Sequence, residues 1–268
     1  MKTSTVILDE SRPKVTLTSY CVTEGAPRPA LLVLPGGGYH FHAWHEGEPV
    51  ALEFVSRGFN CFVLTYTLSD EGHFPTPLRD VSAAIVSIRE NCAEHNVDPD
   101  RLFVLGFSAG GHLAAGIATS WYKDWAKASP DMPIGANKPT GAILCYAAIT
   151  AEPEWTHECI VNNAGELDVD EISFEKQVGE NTVPAFIWAN TPDTVVPSMH
   201  ALLMATEYAK RRIPYELHVY DEGWHGMSLV SPVQDVEFAR NRYRSGEWVA
   251  DADAWMKKLI ERLENDKK

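Results

Sequence analysis

Apolar residues fall along this chain in short blocks, and the blocks follow two different rhythms. Residues 30–34 (ALLVL), 61–64, 102–105 (LFVL), 141–146 (GAILCY) and 183–190 (VPAFIWAN) are almost uniformly apolar and are bounded by turn formers. Strands buried on both faces of a sheet read this way. Residues 15–21 and 215–220 (YELHVY) instead alternate apolar with polar, as half-exposed strands do, and 5–8 is a further short β-like run. Between these blocks lie stretches with helical spacing: 48–57, 78 to about 94, the segment after Ser108, 198 to about 211, and 249 to about 263. Strand and helix alternate, which implies a mostly parallel sheet of about eight strands with right-handed crossovers and helices on both faces. With no repeat or low-complexity linker, the pattern predicts one α/β domain spanning residues 1–268.

Two connections interrupt the rhythm. Residues 121–140 hold Trp121, Trp125 and three prolines and read as a long surface connection. Residues 151–180 are acidic and lack a long periodic stretch, with Trp155, His157 and Phe174 as isolated large side chains. An insertion of this length between core elements is read as a small cap over a site, the alternative being a solvated excursion.

Chemistry concentrates where strands end. The run 102–105 passes directly into small residues at helical spacing, and Ser108 stands at the join within Gly106-Phe107-Ser108-Ala109-Gly110. This G-x-S-x-G pattern is that of a nucleophile elbow, in which a serine on a strained turn points its hydroxyl off the sheet. Small neighbours let strand and helix approach, and the helix start adds free amide donors and a positive field. Three glycines, Gly36 to Gly38, follow the strand at 30–34. Their amides can turn toward a common point, and Gly37 and Gly38 with Ala109 are the candidate oxyanion donors. Asp193 lies just past the strand at 183–190, where ligand sites of open α/β sheets sit, and His225 lies past the strand at 215–220 between Gly223 and Gly226. Asp221 and Glu222 offer alternative acids for that histidine. The order serine, acid, histidine matches the α/β-hydrolase arrangement, and each separation spans whole strand–helix units, which brings all three to one edge of the sheet. A mechanism follows in which Ser108 attacks an ester carbonyl, His225 moves the proton and Asp193 orients the imidazole.

His40, His42 and His45 cluster beside Trp44. A zinc site would ask for H-x-x-x-H on a helix or a carboxylate at defined spacing, and neither is present, so these histidines read as pocket rim or solvated loop. No metal and no cofactor are expected. Tyr39, Trp44 and Trp224 are the candidate substrate-binding aromatics.

Composition narrows the partners. A formal net charge of −14 argues against nucleic acid and anionic membrane surfaces. The five cysteines include no CxxC pair, and Cys61, Cys92 and Cys145 fall in apolar segments, so they read as buried thiols of a reducing compartment. The N-terminal stretch has no long apolar run, so no signal peptide is expected, nor any membrane span; the expected location is cytoplasmic. The expected partner is a small ester, and the chain is compatible with a homo-oligomer.

The strings PGGGY, GFSAGGHLAA, TPDTVVP and GWHG resemble those of the esterase/lipase-like α/β hydrolases, and within them the bacterial acetyl esterases that act on xylan or other carbohydrates. The similarity runs from the PGGGY strand to the His225 loop. One position departs: many relatives carry histidine before the three glycines, where this chain has Pro35 and so lacks a side-chain hydrogen bond that would brace the loop. The resemblance implies removal of short acyl groups, often acetyl, from sugar hydroxyls. Two other readings stay open, an amidase, formamidase or peptidase on the same fold and a non-catalytic binding module, the second opposed by intact Ser108, Asp193 and His225.

Overall fold

The structure is a computed structural model and describes residues 1–232 and 243–266. The middle of the loop expected between His225 and the last helix, residues 233–242, lies outside the described residues. Eight strands form one sheet: β1 (Lys2–Ile7), β2 (Thr16–Cys21), β3 (Arg28–Leu34), β4 (Asn60–Thr65), β5 (Val97–Phe107), β6 (Gly141–Cys145), β7 (Ala185–Asn190) and β8 (Tyr215–Tyr220). Their spatial order is β1-β2-β4-β3-β5-β6-β7-β8. β1 and β2 join antiparallel, and every pairing from β4 to β8 is parallel.

Strand alternation divides the core into two layers. Leu31, Val33, Phe103, Leu105, Phe107, Ile143, Phe186 and Trp188 belong to one cluster, covered by α1 (Glu48–Ser56) and the last helix, α7 (Trp248–Asp266). Leu32, Leu34, Leu102, Val104, Ala142, Leu144 and Ile187 belong to the other, beneath α2 (Thr76–Glu90), α4 (Ser108–Ser120) and α6 (Met199–Arg211). Adjacent residues of β5 thus face opposite layers, which is why its sequence is apolar without alternation. β8, by contrast, closes the sheet edge and keeps its polar alternation.

The structure refines several expectations. The helix expected to run to about residue 94 stops at Glu90, and Cys92–His95 forms the separate turn α3 before Asn96 takes a left-handed conformation. Cys92 is only half-buried, while Cys21 and Cys159, not singled out in the sequence, are buried; all five thiols are free. Residues 121–140 are not simply surface. Trp121 is buried with its indole N–H donating to the Asn181 carbonyl, and Ser82 reaches the Ala126 carbonyl from α2. Buried carbonyls must be paired, and these side chains do it where no strand neighbour can. Within 151–180, the turn α5 (Glu158–Val161) and the buried Ile172 and Phe174 pack toward α4. Phe174 occupies the space a side chain at Gly116 would need, its ring 2.7 Å from where a Cβ would lie. Among the described residues no helix is long and apolar enough to cross a membrane.

Candidate active site

The end of β5 and the start of α4 meet at Ser108, whose φ of +51° is one of few positive values at non-glycine residues. The cost of that strain is met by packing that leaves no other path. A Cβ on Gly106 would lie 2.1 Å from the carbonyl oxygen of Gly110, and one on Gly110 would lie 2.1 Å from that of Leu34. Both positions of the G-x-S-x-G pattern are therefore set by backbone contact. Ser108 is 9% exposed at the sheet edge. The amide of Ala109, in the first turn of α4, has no intrahelical acceptor.

The glycine loop crosses directly over this turn. A Cβ on Gly36 would come within 3.0 Å of the Ser108 Cβ. Gly37, Gly38 and Tyr39 all have positive φ, and a Cβ on Gly37 would collide with the Phe41 carbonyl at 2.0 Å. The Gly36 amide donates to Glu46 Oε2 at 2.7 Å, so it is not available to a ligand as the amides of Gly37 and Gly38 are.

His225 and Asp193 arrive from the ends of β8 and β7. His225 Nδ1 donates to Asp193 Oδ2 at 2.6 Å, which leaves Nε2 to accept from the Ser108 hydroxyl at 2.8 Å. The other oxygen of Asp193 accepts the amides of Val195 and Val196, both at 2.9 Å, so the carboxylate is buried, oriented and fully used. The alternative acids go elsewhere: Asp221 is exposed, and Glu222 accepts from the Ser245 amide at 2.7 Å. A hydroxyl hydrogen-bonded to a carboxylate-oriented imidazole, beside free amides at a helix start, can attack a carbonyl and hold the oxyanion that forms.

A family model for BD-FAE matches residues 20–208, which is most of the chain. The chain belongs to the BD-FAE family. It is 36% identical over 223 residues to endo-1,4-beta-xylanase B of Butyrivibrio fibrisolvens, covering 80% of this chain and 35% of that protein. It is 29% identical over 213 residues to acetylxylan esterase of Xylanibacter ruminicola, covering 75% and 41%. The chain thus spans well under half the length of these two relatives. Among solved structures, the acetyl ester-xyloside bifunctional hydrolase from Caldicellulosiruptor lactoaceticus superposes with a TM-score of 0.80 at 31% identity over 96% of both chains. The BD-FAE chain has the α/β-hydrolase fold expected from its sequence, and its relatives include named esterases.

Not every expected site residue of this BD-FAE chain lies in the cleft. Tyr39 is fully buried, and its hydroxyl bonds His112 Nδ1 at 2.8 Å; it anchors the glycine loop and lines no substrate surface. Its ring is apolar enough to be drawn inward once His112 supplies a partner for the hydroxyl. Trp44 and Trp224 are 64% and 39% exposed, Trp44 on the loop after the glycines and Trp224 beside His225. The three histidines diverge: His40 meets Ser69, His42 packs on Tyr66, and His45 Nε2 lies 3.2 Å from the Gly226 carbonyl.

Other residues carry weight that the sequence did not signal. His112 donates from Nε2 to the Ile172 carbonyl at 2.7 Å and accepts from Tyr39, and burial pushes its pKa down to about 3. His200 accepts the Ile149 amide at Nδ1 and donates to the Trp155 carbonyl, tying α6 to the 151–180 segment; burial lowers its pKa to about 4. His157, noted in the sequence as an isolated large side chain of that segment, accepts the Cys159 amide at Nδ1 at 3.1 Å and so caps α5. Of His112 and His200, only His112 gives a hint in the sequence, as the one large polar residue in the first ten positions of an otherwise small and apolar helix.

Proposed function

We propose that this chain is a serine esterase that removes short acyl groups, acetyl foremost, from carbohydrate hydroxyls. Ser108 Oγ attacks the ester carbonyl while His225 Nε2 takes its proton. Asp193 holds the neutral tautomer and stabilises the imidazolium that results. The oxyanion is held by the amides of Ala109 and of Gly37 or Gly38, each such donor being worth about 2.7–4 kcal/mol of barrier. His225 then gives the proton to the leaving alcohol, and water, activated by the same imidazole, releases the acid from the acyl-enzyme.

The observation that carries this reading is the continuous hydrogen-bonded line from Ser108 Oγ through His225 to Asp193, at 2.8 and 2.6 Å, starting from a serine at positive φ. The choice of acetylated carbohydrate draws on the names of the acetylxylan esterase and acetyl ester-xyloside hydrolase relatives. It is supported by two exposed indoles, Trp44 on the segment after the glycines and Trp224 next to His225, whose flat faces suit a sugar ring. Cleavage of glycosidic bonds is not part of the proposal, because the chain spans only 35% of the xylanase it resembles. The test is a panel of nitrophenyl esters of rising acyl length beside acetylated xylo-oligosaccharides, matching amides and N-formyl substrates. Acetyl esters are expected to be fastest, with acetate released from the oligosaccharide. Failure of a fluorophosphonate to label Ser108, together with no turnover of any ester, would overturn the reading; faster cleavage of amides would replace esterase by amidase.

A further inference from the structure

One buried carboxylate has no part in this scheme. Glu46 is 2% exposed, behind both the glycine loop and the histidine loop. Oε2 accepts the Gly36 amide at 2.7 Å, and Oε1 accepts the Tyr146 hydroxyl at 2.7 Å. That hydroxyl itself accepts the amide of Ser228 at 2.9 Å, so its own proton goes to Glu46. Ser228, three residues past His225, donates from its hydroxyl to the His45 carbonyl at 2.8 Å, and its carbonyl accepts the Trp248 indole N–H at 2.8 Å. His45 Nε2 donates to the carbonyl of Gly226 and stands 3.8 Å from Glu46 Oε1. The ring of Tyr146 meets that of His225 edge to face, with centroids 5.1 Å apart.

Two features follow from this arrangement. First, the Gly36–Glu46 loop and the end of β6 close directly on the two carboxylate oxygens, and the loop after His225 joins them through the Tyr146 hydroxyl and the His45 carbonyl. The side chain thus braces the loop in which Pro35 replaces histidine. Second, among the described residues the groups hydrogen-bonded to those oxygens are both donors, Gly36 N–H and Tyr146 O–H. A carboxyl proton would have no acceptor there, whereas a carboxylate is satisfied. Burial holds the Glu46 carboxyl above the ordinary carboxylate range, offset in part by Tyr146, His45, the Gly36 amide and His225, and it is the geometry of the donors that favours the carboxylate. The other titratable groups nearby, Tyr66 from the end of β4 and Cys145 from β6, stay neutral because burial raises both.

We propose that Glu46 is a positioning residue, held as a buried carboxylate, that locks the oxyanion loop to the histidine loop and adds a second negative charge favouring the His225 imidazolium. The proposal rests on the ester-hydrolysis reading above. It is tested with Glu46→Gln, Glu46→Asp and Tyr146→Phe, comparing kcat, KM and the pH dependence of kcat/KM on nitrophenyl acetate. Glu46→Gln keeps the shape and removes the charge. It should lower kcat about tenfold with KM little changed. It should also move the acid limb of the profile to lower pH by about half a unit or more, because the imidazolium loses an anion. Glu46→Asp should restore the position of the limb, and Tyr146→Phe should lower kcat several-fold without moving it. An acid limb unmoved in Glu46→Gln overturns the electrostatic role. If that variant does not fold, a kcat unchanged in Tyr146→Phe overturns the tie between the loops. A wild-type chain that is neither active nor labelled at Ser108 takes both readings down; an active wild type with indifferent variants removes this one alone.

Discussion

At the outer edge of the sheet, His225 sits between a carboxylate and a hydroxyl; one turn into α4, His112 sits between a phenol and a backbone carbonyl. The partners of each ring select one tautomer, with the proton on Nδ1 in one and on Nε2 in the other. The difference lies in what faces the free lone pair and in whether a cation could be tolerated. His225 is partly open to the cleft, and Asp193 stands ready to stabilise its charged form. His112 is sealed from solvent with no carboxylate among its hydrogen-bond partners, so burial depresses its pKa to about 3. The same side chain is a proposed base in one setting and a strut in the other. A histidine in a motif is thus not sufficient to mark chemistry; an acid partner and access to a reactive hydroxyl are what distinguish it.

The sharpest way to break this contrast is at the nucleophile. Ser108→Ala is expected to cut kcat/KM on nitrophenyl acetate by at least about 10⁴-fold while far-UV circular dichroism is unchanged. Asp193→Asn should follow with a loss of about 10³–10⁴-fold, since the imidazole then favours the wrong tautomer. Glu222→Gln should cost little, and a reversed order of the two would reassign the acid partner.

Effects on the strut side should appear in stability rather than in turnover. Its ionisation has a definite sign. The folded pKa of about 3 lies below the ordinary value of 6.5, so between these two the unfolded chain binds a proton that the folded chain refuses. The associated stability is present above pH 6.5 and is lost as pH falls toward 3, at up to about 1.4 kcal/mol per unit. His112→Gln, which keeps a donor and an acceptor but cannot titrate, should flatten the fall in urea-unfolding free energy between pH 7 and 5. His200, lowered to about 4, leaves a residual slope of the same sign. Tyr39→Phe should destabilise by about 1–2 kcal/mol by leaving the His112 acceptor unpaired, with KM for acetyl esters nearly unchanged. The smallest expected effect on stability is that of Trp44→Ala, within about 0.5 kcal/mol, with a rise in KM confined to carbohydrate esters.

Much of this molecule was legible in the order of its residues. Strands buried on two faces lack alternation, so β3, β5, β6 and β7 stand out as short apolar runs, and β8 betrays its edge position by alternating. The elbow is legible because its requirements are local: Gly106 and Gly110 are demanded by backbone atoms a few residues away or on the neighbouring strand. What the sequence hid were partnerships between residues far apart. Tyr39 looks like a rim aromatic until His112 turns its hydroxyl inward. Glu46 reads as one acid among several in HEGEP until Gly36 and Tyr146 close on it. Asp193 is favoured along the chain by its place just past a strand end, but Asp221 and Glu222 are set aside only in space.

The sequence by itself determined the periodicities, the strained turn at Ser108 and the order of serine, acid and histidine, because each depends on local sterics or on which face of an element is apolar. Only the tertiary structure decided which acid meets His225, which way Tyr39 points and where the charge of Glu46 is spent. Those outcomes depend on hydrogen-bond geometry at the ends of strands that are neighbours in the sheet but distant along the chain, and no pattern of hydrophobic and polar residues records it.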